Sequence, residues 1–294
     1  MSKLEQVVEA VKGKLEGEYS VQSVEVLKNN GVEMIGVVIR SQGEQTGIVV
    51  YLPKERLERD AVSEIVNFVC QQYKEGRTAK NPLNGIEESI WDKQFVLSHV
   101  VYQLVNKEKN AKFLESVPQE KFLDLASIYR VMLRVGEGEN ASYVVSNAIL
   151  QEIGVLPEEL SQAAKENTQR LLGVYCRKLG EMLWEQFGME LPQEQGTESM
   201  SIWVLTNSVK ANGAVLMTYP SILSELAEKM GNNLLILPSS IHEVLIFAEP
   251  KDGRVEDFRE MVREVNATEV SQQEFLSDSV YRFNKDTGTV EIAS

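Results

Sequence analysis

The chain has 294 residues, with 44 acidic against 30 basic side chains and a formal charge of −14 at pH 7. That balance argues against a phosphate-backbone binder, which shows a basic face, and against attachment to an anionic membrane; no nucleic acid and no membrane are expected as partners. A hydrophobic content of 43% and a charged content of 25% are ordinary for a globular protein of one domain or two.

The two cysteines, Cys70 and Cys176, each fall on a predicted apolar helix face, so a disulfide scaffold is not expected and a reducing cytoplasm fits. The N-terminus lacks a signal-peptide pattern, and no apolar run approaches the roughly 20 residues that span a bilayer.

Leu4, Val7, Val8, Val11 and Leu15 space as a helix stripe that Gly17 ends. Residues 21–27 alternate as a half-buried strand, Asn29-Asn30-Gly31 signals a hairpin, 32–39 is the return strand and 46–52 a third, closed by Pro53. Ala61, Val62, Ile65, Val66, Val69 and Tyr73 then share one helix face. Residues 1–75 thus read as helix, three-strand meander, helix.

The stretch 75–85 is polar, broken by Gly and Pro, and reads as a connection. Residues 95–104 are β-branched enough to favour a strand, with His99 inside it as a structural residue. Residues 107–116 read as a short helix, and 122–133 with 141–145 as a hairpin. Within it Asp124, between Leu123 and Leu125, faces outward from a strand; an acid turned toward a core would instead flag a site. Ser146 opens a helix that Gly154 ends, and Pro157-Glu158-Glu159 opens the next. Asn167 to Arg170 reads as an interhelical turn, before an amphipathic stripe of Leu172, Tyr175, Cys176, Leu179, Met182, Leu183 and Phe187. Trp184 on that helix is expected in the core.

Residues 188–199, with Pro, two Gly and three acids, read as a linker, which divides the chain into an N-terminal α+β region, 1–190, and a C-terminal α/β region, 191–294. After a strand at 201–206 comes the strongest run of the sequence, 213–248. It reads as a helix capped by Thr218, with Pro220 in its first turn and Gly231 past its end, feeding strands at 234–237 and 244–247. A helical stripe at 255–265, a short helix over 272–276 capped by Ser271, and a hairpin of 280–283 with 289–292 follow. The fold class expected is α+β, with antiparallel meanders and hairpins packed against amphipathic helices.

The best candidate chemistry is Ser239-Ser240-Ile241-His242-Glu243, where a hydroxyl, an imidazole and a carboxylate lie within five residues. Ser–His–acid catalysis needs those groups arranged in space, usually from distant parts of a chain, and no G-x-S-x-G elbow is present. The competing reading is a turn whose serines bond nearby backbone, with His242 at a strand entrance. Two Cys and two His at 70, 99, 176 and 242 give no zinc spacing, and neither a P-loop nor a G-x-G-x-x-G occurs, so no cofactor and no metal are expected.

Three segments carry a resemblance: FLDLASIYRVML (122–133), GVLPEELSQAAKENTQRLL (154–172), and the run 204–283 with its PSSIHEV, VNATEV and LSDSVY segments. They resemble an uncharacterised bacterial family, common in anaerobic gut bacteria and catalogued only as a domain of unknown function. The resemblance covers nearly the whole chain and implies a free-standing cytoplasmic bacterial protein; it carries over no catalytic residue. A weaker likeness, to another uncharacterised bacterial family, rests on Gly154, Glu158, Glu159, Leu160, Ala164 and Asn167. The resulting expectation is a non-enzymatic binding or protein-interaction module; the alternative is a serine hydrolase using Ser239, Ser240, His242 and Glu243. A third reading, an acidic decoy for a nucleic-acid-binding protein, is weakened because the acids are interspersed with Lys and Arg.

Overall fold

The structure is a computed structural model that describes residues 1–15, 18–43, 47–78, 89–134, 141–188, 201–250 and 255–293. Among these, every strand pairing is antiparallel, in three sheets packed with helices, an α+β fold. The chain divides into two units, Met1–Asn84 and Gly85–Ser294.

In the first unit, α1 (Lys3–Lys14) opens with a capping box. The Ser2 side chain accepts from Glu5 N, and the Glu5 carboxylate accepts from Ser2 N, so two orphan donors of the first turn are satisfied. Strands β1 (Tyr19–Leu27), β2 (Glu33–Ser41) and β3 (Ile48–Pro53) form a meander in that order. The β1–β2 turn uses Asn30 (φ 60) and Gly31 (φ 71), the left-handed conformations that Asn and Gly tolerate. A short α2 (Lys54–Arg59), which hydrophobic periodicity does not reveal, precedes α3 (Val62–Thr78). Val7 and Val11 of α1 and Ile65, Val66, Val69, Cys70 and Tyr73 of α3 cover one sheet face, made by Val21, Ile35, Val37, Ile39, Val50 and Leu52. Each such aliphatic residue contributes about 1.5–3 kcal/mol by leaving water.

The second unit opens with α4 (Lys93–His99) running directly into β4 (Val100–Asn106). Residues 95–104, expected as one strand, are thus half helix. Asp92 caps α4 by accepting from Phe95 N at 2.6 Å, a local signal strong enough to override the β-branched composition. His99 stacks on Phe95 with ring centroids 4.1 Å apart, a packed structural residue as expected.

Next come α5 (Ala111–Leu114), shorter than its expected span, β5 (Gln119–Phe122), β6 (Leu125–Arg134) and β7 (Ala141–Val144). The long β6 pairs with β4 along one edge; along the other it pairs with β5 and then β7, end to end. After α6 (Asn147–Glu152), α7 (Pro157–Leu172) is continuous through Asn167–Arg170, which correct the turn expected there. It ends at Gly173 (φ 68), where an added Cβ would meet Ser208 Oγ at 2.6 Å.

The stripe expected over 172–187 is two elements, β8 (Tyr175–Lys178) and α8 (Leu179–Phe187), so Cys176 is a strand residue. Trp184, expected in the core, is 56% exposed. The six-stranded sheet has the order β13-β12-β10-β11-β9-β8, with β9 (Trp203–Thr206), β10 (Leu234–Pro238), β11 (Val244–Ala248), β12 (Tyr281–Asn284) and β13 (Thr289–Ile292). Its β8 precedes and its β9 follows the stretch 188–199. Of that stretch all but Gly188 lies outside the described residues, as do Gly17 and residues 79–85 of the expected connection.

A buried 3-10 segment, Gly213–Thr218, precedes α9 (Pro220–Met230). Thr218 belongs to that segment and donates to Val215 O instead of capping α9, whose cap position is Tyr219. The main core joins one face of the β4–β6 sheet, α7, the 3-10 segment, α9 and one face of the six-stranded sheet. α10 (Val255–Thr268) covers the other face of that sheet through Val255, Phe258 and Val262. Residues 272–274 are a turn and 275–276 irregular, not a helix, with Ser271 O accepting from Glu274 N and Phe275 N.

Candidate functional site

Ser239, Ser240, His242 and Glu243 lie half-buried in the turn joining β10 to β11. Ser240 Oγ accepts from His242 N at 3.0 Å, and Ser240 N donates to Glu243 O at 3.3 Å, so the serine closes its own turn. The His242 ring points elsewhere. Its Nδ1 accepts from Asn212 N at 3.1 Å, which leaves the ring proton of a neutral imidazole on Nε2, and Nε2 lies 3.6 Å from Glu274 Oε1. Thr206 Oγ1 donates to His242 O at 2.8 Å, and Ile241 N donates to Glu274 O at 2.8 Å.

The partners that sequence proximity did not reveal are therefore Thr206, Asn212 and Glu274. Gly213 permits this assembly, since a Cβ there would fall 2.6 Å from His242 O and 2.7 Å from Asn207 N. The four residues are brought together along the chain, but the imidazole serves a backbone amide and a distant carboxylate rather than a serine hydroxyl.

A second polar cluster lies where β4, β5, β6 and α7 meet. Tyr102 and Tyr129, cross-strand neighbours, both donate to Glu120 Oε1, at 2.8 and 2.6 Å. The Tyr102 hydroxyl also lies 3.1 Å from Ser161 O. Burial pushes both phenols well above the ordinary tyrosine range, so they keep their protons and remain donors. Burial also pushes the Glu120 carboxyl up. Hydrogen bonds from Ser161, Tyr129 and Tyr102, with the Lys165 charge, outweigh that and hold it below the usual carboxylate range. A carboxylate so stabilised is a weak base. Its chemistry is that of an anchor tying β5 to the tyrosine pair.

Asp124, expected to face outward from a strand, sits in the turn between β5 and β6, beside Leu123 at φ 55. Its Oδ1 accepts from Tyr281 OH at 2.8 Å, and its Oδ2 accepts from Ser277 Oγ at 2.7 Å and Ser279 Oγ at 3.0 Å. The left-handed leucine, uncommon for a bulky residue, is held by this clamp. Arg130 is half-buried, and its guanidinium donates to neutral groups: Ser142 Oγ at 3.0 Å, Gln103 Oε1 at 3.2 Å and Ser142 O at 3.3 Å. Burial lowers its pKa.

Burial raises the Cys70 thiol above its ordinary value and pushes Cys176 up to about 11, which disfavours the nucleophilic thiolate of each. Among the described residues no group of three His, Cys, Asp or Glu side chains is placed to hold a metal ion, and no helix is long and apolar enough to cross a membrane.

The first unit has a face of a different kind. Opposite its helices, the sheet presents Val24 and Tyr51, 43% and 41% exposed, beside half-buried Val26, Val38 and Val49. Gly36 lies at the centre of this patch. A Cβ there would meet Val24 Cγ2 and Val49 Cγ1 at 3.0 Å, so the glycine lets valines of both neighbouring strands close over it into one apolar surface. Lys28 places its ammonium 3.2 Å from the centroid of the Tyr51 ring, at the border.

A family model described as a family of unknown function (DUF5688) matches residues 3–285. No curated protein and no solved structure matches the chain.

Proposed function

The chain belongs to DUF5688, a family of unknown function, and from that membership, which supplies no activity, we propose that it is a non-enzymatic protein-interaction module acting through the open sheet face of its first unit. The observation that carries the reading is the apolar patch of Val24, Val26, Val38, Val49 and Tyr51 on a sheet whose other face is filled by α1 and α3. Contiguous exposed apolar surface on a folded unit is a common mark of an interaction site. The partner proposed is a protein that brings apolar side chains to this face. Nucleic acid and anionic membrane are disfavoured by the formal charge of −14. Two unpaired cysteines fit the reducing cytoplasm as its compartment.

The test compares affinity capture by the wild type and by Val49→Glu/Tyr51→Glu, a change confined to the face, with matched circular dichroism to establish folding. A stoichiometric partner retained by the wild type and lost by the variant supports the reading; identical capture by both contradicts it. A fluorophosphonate probe addresses the hydrolase alternative. Labelling that disappears in Ser240→Ala or Ser239→Ala would turn the assignment toward catalysis at the 239–243 turn; none is expected, because Ser240 Oγ serves the His242 amide.

A further inference from the structure

We propose that the free edge of β1 is a self-association surface, on which a second copy of this chain pairs its own β1 antiparallel about Ser23. The argument starts from which backbone groups of β1 are used. Lys28 N donates to Val32 O and Gln42 N donates to Glu18 O, so the hydrogen-bonded pairs of the β1–β2 ladder are those of even-numbered β1 residues. Tyr19, Val21, Ser23, Glu25 and Leu27 therefore turn both N–H and C=O away from β2. β1 lies at the end of the sheet order, and no described backbone group bonds these outward groups. With nine residues it is the longest sheet-edge strand among the described residues: β4 has seven, β3 six, and β5, β7, β8 and β13 four each. An edge of this length is a template for another strand.

The occupant follows from the register. Two antiparallel copies must match outward residues with outward residues, and centring on Ser23 pairs all nine positions: Ser23 with Ser23, Val21 with Glu25, Tyr19 with Leu27, Gln22 with Val24 and Ser20 with Val26. No charge then faces its own kind. One step beyond each end, Glu18 of one copy meets Lys28 of the other, giving two symmetric ion pairs. Centring on Glu25 would instead set carboxylate against carboxylate. The exposed Leu27 (45%) gains the Tyr19 ring as a cross-strand neighbour, and the exposed Ser23 and Glu25 show that the helix layer leaves this part of the strand open. Because odd residues face the helix side in both copies, the helices fall on one face of a continuous six-stranded sheet. This inference rests on the edge and not on the apolar face, and the two fail independently.

The experiment is sedimentation velocity of the full chain over a concentration series. The wild type is expected to move reversibly between the mass of one chain and of two. Ser23→Pro removes an outward N–H and spares the ladder to β2; it is expected to weaken association about tenfold or more. Glu18→Lys and Lys28→Glu are each expected to weaken it about fivefold, and the double variant Glu18→Lys/Lys28→Glu to restore it. A wild type that stays at one chain's mass throughout, or a dimer indifferent to Ser23→Pro, overturns the proposal. Loss with Ser23→Pro but no restoration in the double variant overturns the register.

Discussion

Two edge strands of this molecule have been treated differently. β4 pairs with β6 on one side only, yet its other side is not bare: the buried Thr168 of α7 accepts from Tyr102 N at 2.9 Å and donates to Ala164 O at 2.7 Å. The neighbouring Asn167 donates to Leu97 O at 2.8 Å and Arg170 to Ser98 O at 2.7 Å, the last carbonyls of α4 just before β4, so one turn of a helix lies against the start of the strand and binds its Tyr102 amide. Among the described residues β1 has no such neighbour, and no described backbone group bonds its outward N–H and C=O groups. A closed edge belongs to a core that is finished within the chain; an open one is a place where something can still be added.

Substitutions separate the two cases, and the largest effects are expected in the second unit. Asp124→Ala removes the acceptor of three hydroxyls and leaves Ser277, 2% exposed, and Tyr281, fully buried, without it; a loss of about 3 kcal/mol is expected by chemical denaturation. Thr168→Val keeps the shape of a fully buried side chain but orphans the Tyr102 amide, and should cost about 2 kcal/mol.

The Glu120 anchor gives a pH signature. Its folded-state pKa is depressed, so its contribution is present above the unfolded value of about 4 and is lost as pH falls through the folded one. Glu120→Gln should flatten the decline of stability below about pH 4 that the wild type shows. The smallest effect belongs to the open edge. Ser23→Pro should change monomer stability by no more than about 1 kcal/mol, because the N–H it deletes has no backbone partner among the described residues. A cost at position 23 as large as that at position 168 would mean that the two edges are alike after all.

Much of the first unit was legible in the sequence because its signals are local. The stripe through Val7 and Val11, the alternation in β1, Asn30-Gly31 and the stripe through Ile65 and Val69 each name their element from a few adjacent residues. The second unit was legible where the same held, as in α9, β10 and β11, and illegible where distant contacts decided. Asn167 and Thr168 look like a turn because polar residues inside a helix have no local reason to be there; their reasons are the Leu97 carbonyl of α4 and the Tyr102 amide of β4, some seventy positions earlier.

Asp124 has no local sign of facing inward, since its clamp comes from residues 277–281. The 239–243 turn was located correctly, with the backbone use of its serine as one of two readings. The partners of His242 were hidden, because Asn212 and Glu274 approach only once the sheet is formed. The Glu120 cluster has no signature in the sequence. Two tyrosines on different strands and a glutamate on a third leave no spacing to recognise.

The most direct measurement is residue-resolved amide hydrogen exchange across β1 and β4. In dilute solution the Tyr102 amide should exchange as slowly as the core, Gln22 and Val24 should be protected by β2, and Val21, Ser23 and Glu25 should exchange freely. Raising the concentration should bring protection to those three together with Tyr19 and Leu27, the other outward amides of β1. If Ser23 is as protected as Val24 in the dilute monomer, the edge is not open, and both the contrast between the two strands and the pairing built on it are wrong.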